Sequence, residues 1–175
     1  MLARMMLGVL GGLLFCLGVA QGELLNIGDE FPSWSMVDQN GASVTSVSYT
    51  GRRYVMWFCT EAMTPGCTAE GRAFRDLYHQ FETAGITVLA VSFDVPQTNG
   101  VFATAEGFPF PVLTDSNRQF SAKVGAVEDD DQPRPDQITY IVGEDGRVVK
   151  AYSSVQPLRH AQEILMEAGV GVATP

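Results

Sequence analysis

Thr60-Glu61-Ala62-Met63-Thr64-Pro65-Gly66-Cys67-Thr68 is the stretch that decides the fold. An apolar, β-favouring run, Tyr54-Val55-Met56-Trp57-Phe58, leads into it. Phe74, Leu77, Tyr78 and Phe81 follow at i, i+3, i+4 and i+7, the spacing of an amphipathic helix. Pro65-Gly66 breaks the strand and reverses the chain. Cys67 then falls at or next to the first turn of the helix. Unpaired backbone N–H groups point outward there, and the helix dipole is positive. A free cysteine titrates near ~8.5, and a helix N-terminus lowers that value. A strand, a loop and a cysteine opening a helix together describe an activated, reachable sulfur nucleophile. The bland alternative for a lone Cys is a small buried hydrophobe. Thr64 stands three residues ahead of Cys67, so its hydroxyl can reach the sulfur or a bound oxygen atom. Its bland alternative is a helix N-cap.

Outward from this stretch, the spacing predicts a central strand over 54–59, a loop over 60–66 and a helix over about 67–84, ended by Gly85. On the N-terminal side, Val37 to Val44 reads as a hairpin turned at Asn40-Gly41, and residues 49–53 form a polar turn at Gly51. On the C-terminal side, Ile86 to Phe93 is a near-continuous apolar run, as in a parallel strand covered on both faces. A short helix over 97–106, a proline-punctuated segment over 108–113, and a helix capped by Asp115-Ser116-Asn117 and reaching about Val124 come next. Residues 128–136 are a charged loop that matches no calcium-loop spacing. A second hairpin, 138–142 with 147–152, turns at Gly143-Glu144-Asp145-Gly146. A closing helix over 157–168 points Leu158, Ala161, Ile164, Leu165 and Ala168 inward. Strands alternating with helices and then a final hairpin indicate an α/β layer fold: a central mixed sheet flanked by helices, with an N-terminal β-hairpin.

The chain has 175 residues, 46% hydrophobic and 18% charged, which is enough for one domain with a real core. Its formal net charge of −9 argues against nucleic acid or an anionic membrane surface as partner. Residues 1–22 read as a secretory signal peptide: Arg4, an apolar run from Met5 to Val19, then Ala20-Gln21-Gly22. If cleavage fails, the same run becomes a membrane anchor, though it is short for a full span. Cleavage after Gly22 removes Cys16 and leaves residues 23–175 with two cysteines, Cys59 and Cys67. The expected location is exported, periplasmic or extracellular, with no stable membrane association once the leader is gone.

Thr64-Pro65-Gly66-Cys67-Thr68, followed by Phe74-Arg75-Asp76-Leu77-Tyr78, resembles the peroxiredoxins of the AhpC/TSA family, and most the Q-type or bacterioferritin-comigratory branch. The likeness runs from about Gly28 to about Gln162. It includes Gly28-Asp29-Glu30-Phe31-Pro32 near the start and Phe108-Pro109-Phe110-Pro111 further on. It implies a thioredoxin-like fold and two-electron reduction of hydrogen peroxide or a small organic hydroperoxide. In that scheme Cys67 is the peroxidatic nucleophile and passes through a sulfenic acid. Thr64 bonds the sulfur and the peroxide, and the amides of Gly66 and Cys67 cradle the peroxide oxygens. Glu70 sits where the family carries a Glu that orients an Arg; on physical grounds alone it is a first-turn acid.

Three positions depart from the pattern. Thr60 stands at the family's Pro, Gln137 at its Arg, and Arg72 at the site of a frequent resolving cysteine. Arg134, three residues from Gln137, is the candidate substitute for the missing Arg. A Cys59–Cys67 disulfide requires Cα atoms within ~7 Å, and the loop between them permits but does not enforce it. The reading favours a one-Cys mechanism with an external thiol, a thioredoxin-like protein or a small thiol, and leaves Cys59 as a buried core residue. A monomer or homodimer is expected. His79 and His160 have no ligand-type residue at metal spacing, so neither metal nor cofactor is expected. Two rivals stand beside the peroxidase. An exported thioredoxin-type thiol–disulfide oxidoreductase would need a Cys-x-x-Cys that the chain lacks. A catalytically weakened thioredoxin-fold protein for binding or redox sensing draws on the Thr60 and Gln137 departures.

Overall fold

The run after Gly51 forms the strand on which the rest is built. The computed structural model describes residues 23–129 and 131–169, so the expected leader at 1–22 and the end of the tail lie outside the described residues. In chain order the strands are β1 (Ser35–Val37), β2 (Ser43–Thr45), β3 (Arg53–Phe58), β4 (Ile86–Ser92), β5 (Val112–Thr114), β6 (Thr139–Val142) and β7 (Val148–Tyr152). The helices are α1 (Pro65–Asp76), α2 (Tyr78–Thr83), α3 (Pro96–Glu106), α4 (Gln119–Lys123) and α5 (His160–Glu167). One mixed sheet runs β2-β1-β5-β4-β3-β6-β7. β3, β4 and β5 are parallel, and antiparallel hairpins close both edges. This is the expected α/β architecture.

The pleat of β3 divides the core. Val55 and Trp57, with Cys59 just past the strand, face one cluster together with Cys67, Phe74, Phe81, Phe102, Ile164 and Leu165. Tyr54, Met56 and Phe58 face the other, with Phe31, Trp34, Phe120 and Tyr140. Period-two alternation therefore places Cys59 on the same side of the sheet as α1. The Asn40-Gly41 turn forms as read: the Gly41 amide donates to Asp38 O at 3.0 Å, and Gly41 takes the left-handed φ of +81° that such a turn requires.

Three expectations are corrected. The helix over 67–84 is two helices. It starts earlier, with Pro65 in the first turn, because a proline lacking an N–H suits a position where that N–H has no partner. It breaks at Leu77, whose φ of −103° and ψ of 5° leave the helical range. Asp115 and Asn117 cap α4 as read: Asp115 Oδ2 accepts the Ser121 amide at 2.8 Å and Asn117 Oδ1 the Gln119 amide at 3.1 Å, with Arg118 at the helix boundary in a left-handed conformation. The closing helix starts at His160, so Leu158 lies ahead of it, 80% exposed, while Ala161, Ile164 and Leu165 are buried as read.

Candidate active site

α1 opens with Thr64 as its N-cap residue, and the first intrahelical bond runs from the Thr68 amide to Thr64 O at 2.9 Å. The amides of Gly66 and Cys67 lie ahead of that bond, in the turn whose N–H groups lack helical acceptors. The loop feeding α1 is pinned from below. The Ala62 amide donates to Asp94 Oδ2 at 2.8 Å. Asp94 is fixed in turn, since its carbonyl accepts from Thr114 Oγ1 at 2.9 Å and Asn99 Nδ2 at 3.2 Å. The ends of β4 and β5 thus hold the loop that presents Cys67.

Cys67 is not the free, reachable thiol the sequence suggests. It is bonded to Cys59, with the Cα atoms 5.4 Å apart, and both residues are buried, at 0% and 1% exposure. This corrects two expectations together: Cys59 is not a bystander of the core, and the site can close an internal disulfide. The cause is the pleat of β3, which aims Cys59 at α1, with Cys59 held in line by its amide bonding Val91 O at 2.8 Å. A sulfur bound in a disulfide is no nucleophile, so this is the oxidised form of the site.

Thr64 is also corrected. Its hydroxyl donates to Glu61 O at 2.8 Å, back into the loop, and forms no capping bond. The hydroxyl at the sulfur is that of Thr60, with Oγ1 3.6 Å from Cys67 Sγ. Thr60 was legible only as a departure from a motif.

Glu70 and Gln137, placed by the sequence at two separate family positions, meet here. Gln137 Nε2 donates to Glu70 Oε2 at 2.5 Å, and a Cβ placed on Gly66 would lie 3.6 Å from Gln137 Oε1. The Gln137 amide therefore spans from the buried carboxyl to the first turn of α1. Glu70 is fully buried, and loss of water pushes its carboxyl up to about 8, against the pull of the Gln137 bond. His160, which sequence spacing gave no reason to consider, packs beside it: Nε2 is 3.9 Å from Glu70 Oε1, and burial lowers the imidazole to about 4.

Arg134 pairs with Glu61 at 2.7 Å rather than with the sulfur. It shares a pocket of about 170 Å³ with Thr60, Asp94 and Arg118. The Arg118 guanidinium lies over the Phe93 ring at 5.3 Å; nothing in the sequence flagged Arg118.

A thioredoxin-like sheet with a cysteine pair where the central strand meets its helix defines a thiol redox enzyme. The AhpC/TSA family profile matches residues 27–151, and the chain belongs to that family, the peroxiredoxins. It is a thiol-dependent peroxidase. A chloroplastic peroxiredoxin Q of Populus jackii is 32% identical over 142 residues, 81% of this chain and 67% of that one. The crystal structure of the peroxidoxin BcpB of Mycobacterium tuberculosis is similar with a TM-score of 0.76 at 28% identity, covering 82% of this chain and 96% of that one. A bacterioferritin comigratory protein of Xanthomonas campestris with alkyl peroxide reduction activity gives a TM-score of 0.72 at 26% identity, with 78% of this chain and 90% of that one covered.

Proposed function

We propose that Cys67 is the peroxidatic cysteine and Cys59 its resolving partner. The observation that carries this is the Cys59–Cys67 bond at the start of α1. In the reduced enzyme the Cys67 thiolate attacks the distal oxygen of ROOH. The O–O bond breaks, and the departing alkoxide takes a proton as ROH while Cys67 becomes a sulfenic acid. The Cys59 thiol then attacks the Cys67 sulfur, water leaves, and the disulfide seen here forms. Two thiols of an external reductant, a thioredoxin-like protein or a small dithiol, restore both cysteines by exchange. The amides of Gly66 and Cys67 face the developing oxyanion. Thr60 donates to the sulfur, Glu70 orients Gln137, and Gln137 replaces the family's Arg with a neutral donor. Arg134 supplies positive charge at the rim of the Thr60 pocket rather than at the sulfur. Hydrogen peroxide and small organic hydroperoxides are the proposed substrates, the class that the family membership supports.

A monomer or homodimer is part of the same proposal. Export with cleavage after Gly22 is part of the same proposal, supported by the composition of residues 1–22. Purified chain, peroxide and dithiothreitol provide the test. Wild type consumes peroxide, Cys67→Ser does not, and mild peroxide treatment lowers the intact mass by two hydrogens. Peroxide consumption surviving in Cys67→Ser overturns the assignment.

A further inference from the structure

Glu70 of α1 and His160, the first residue of α5, are both wholly buried and lie on elements that pack together. Glu70 Oε2 is satisfied by Gln137. Glu70 Oε1 and His160 Nε2 face each other at 3.9 Å, and among the described residues neither has a hydrogen-bond partner. His160 Nδ1 is also without one among the described residues, and Glu163 Oε2 lies 3.9 Å from it. The rings of Phe74 and Tyr152 stand edge-on to the imidazole at 6.1 and 4.8 Å and wall it off. Orphaned buried polar atoms carry an uncompensated desolvation cost, and two that face one another remove that cost by sharing a hydrogen. An approach of about 1 Å closes the pair to hydrogen-bond distance.

A shared proton gives either a carboxylic acid beside a neutral imidazole or a carboxylate beside an imidazolium. Burial disfavours both charges and selects the neutral form. The other groups facing the pair do not reverse this. On α5, Glu163 is half exposed, and Glu167 is engaged by Lys150 at 3.2 Å and by the Tyr152 hydroxyl at 3.0 Å, both from β7. Gln137 is neutral, and Cys67 lies one turn back on α1.

We propose that His160 is a positioning residue: it accepts the hydrogen of Glu70 and so keeps the carboxyl uncharged beside the Cys67 thiolate, which an ionised Glu70 three residues away would repel. The proposal rests on Cys67 being the nucleophile. His160 never touches the reacting atoms; it acts through Glu70, and through Gln137 on the turn at Gly66.

The test is the pH dependence of Cys67 alkylation in the full, dithiothreitol-reduced chain, read by mass on the Cys67 peptide. His160→Phe removes the acceptor and lets Glu70 ionise at lower pH. Cys67 alkylation at pH 7 is expected to drop roughly tenfold, which is a rise of about one unit in its midpoint. His160→Gln, which keeps an acceptor, restores the wild-type profile. In a Glu70→Gln background, His160→Phe has no effect. An equal drop in that background, no rescue by Gln, or an unshifted profile in folded His160→Phe overturns the proposal. If His160→Phe does not fold, Glu70→Gln decides: the wild-type profile is expected to carry a second bend from Glu70, whose carboxyl burial raises well above its usual range, and the variant is expected to lose it. A bend that persists overturns the proposal. Peroxide consumption in Cys67→Ser removes the nucleophile assignment itself, and the proposal with it.

Discussion

The hydroxyl of Thr60 stands 3.6 Å from the sulfur of Cys67, while that of Thr64, the residue the motif nominates, is turned onto Glu61 O at 2.8 Å. A hydrogen bond to a charged partner contributes about 1.5–3 kcal/mol, so Thr60→Val should slow oxidation of the reduced enzyme by roughly 10- to 100-fold. Thr64→Val should cost about 1 kcal/mol of stability and far less in rate. Stopped-flow oxidation by hydrogen peroxide measures both. A Thr64→Val enzyme that is the slower of the two would return the role to Thr64.

Cys59→Ser separates attack from resolution. The variant should still be oxidised by one equivalent of peroxide, and its intact mass should rise by oxygen instead of falling by two hydrogens. It should also lose the cross-link's effect on the unfolded chain. For residues eight apart in sequence, chain entropy puts that at roughly 2–3 kcal/mol. Urea unfolding of the two oxidised proteins gives the difference, and equal midpoints would mean the bond does not brace the fold.

The seating of α1 on the proline-rich segment ahead of β5 turns on Gly71. A Cβ there would meet Phe108 Cε1 at 2.8 Å and Cε2 at 3.1 Å, inside a stack of Phe108 on Phe110. Gly71→Ala gains helix propensity but overpacks the Phe108 ring, so a net loss of about 1–3 kcal/mol is expected. Thermal unfolding reads it; an unchanged melting temperature would show that the segment yields.

The architecture was legible because each layer announces itself locally. The β3 run, Asn40-Gly41, the apolar β4 and the spacing of Phe74 and Phe81 act through nearest neighbours in sequence. The chemistry was legible only where it followed the same rule: Cys67 after Pro65-Gly66, and Glu70 one turn later. Cys59 was misjudged although the signal was present, since it shares the parity of Val55 and Trp57 and must face the helix that carries Cys67. His160 and Arg118 reach the site from α5 and from the turn before α4, at separations no local pattern spans. Thr60 and Thr64 exchange roles because of one turn of loop geometry, which residue types alone do not set.

Stability should carry the mark of the Glu70–His160 pair. Glu70 is raised from 4.5 to about 8, so its contribution is complete below 4.5 and is lost as pH rises through 8. His160 is lowered from 6.5 to about 4, so its contribution is complete above 6.5 and is lost as pH falls through 4. Between 4.5 and 6.5 the two trends oppose and cancel. Between 6.5 and 8 only Glu70 changes, and the free energy of unfolding should fall there by on the order of 1–2 kcal/mol. Glu70→Gln cannot ionise and should flatten that limb while leaving the acid limb to His160. Urea titrations at pH 5, 6.5 and 8 on both proteins decide it. The same downward slope in Glu70→Gln would place the titrating group elsewhere and would leave the buried carboxyl ionised at neutral pH, paired with an imidazolium.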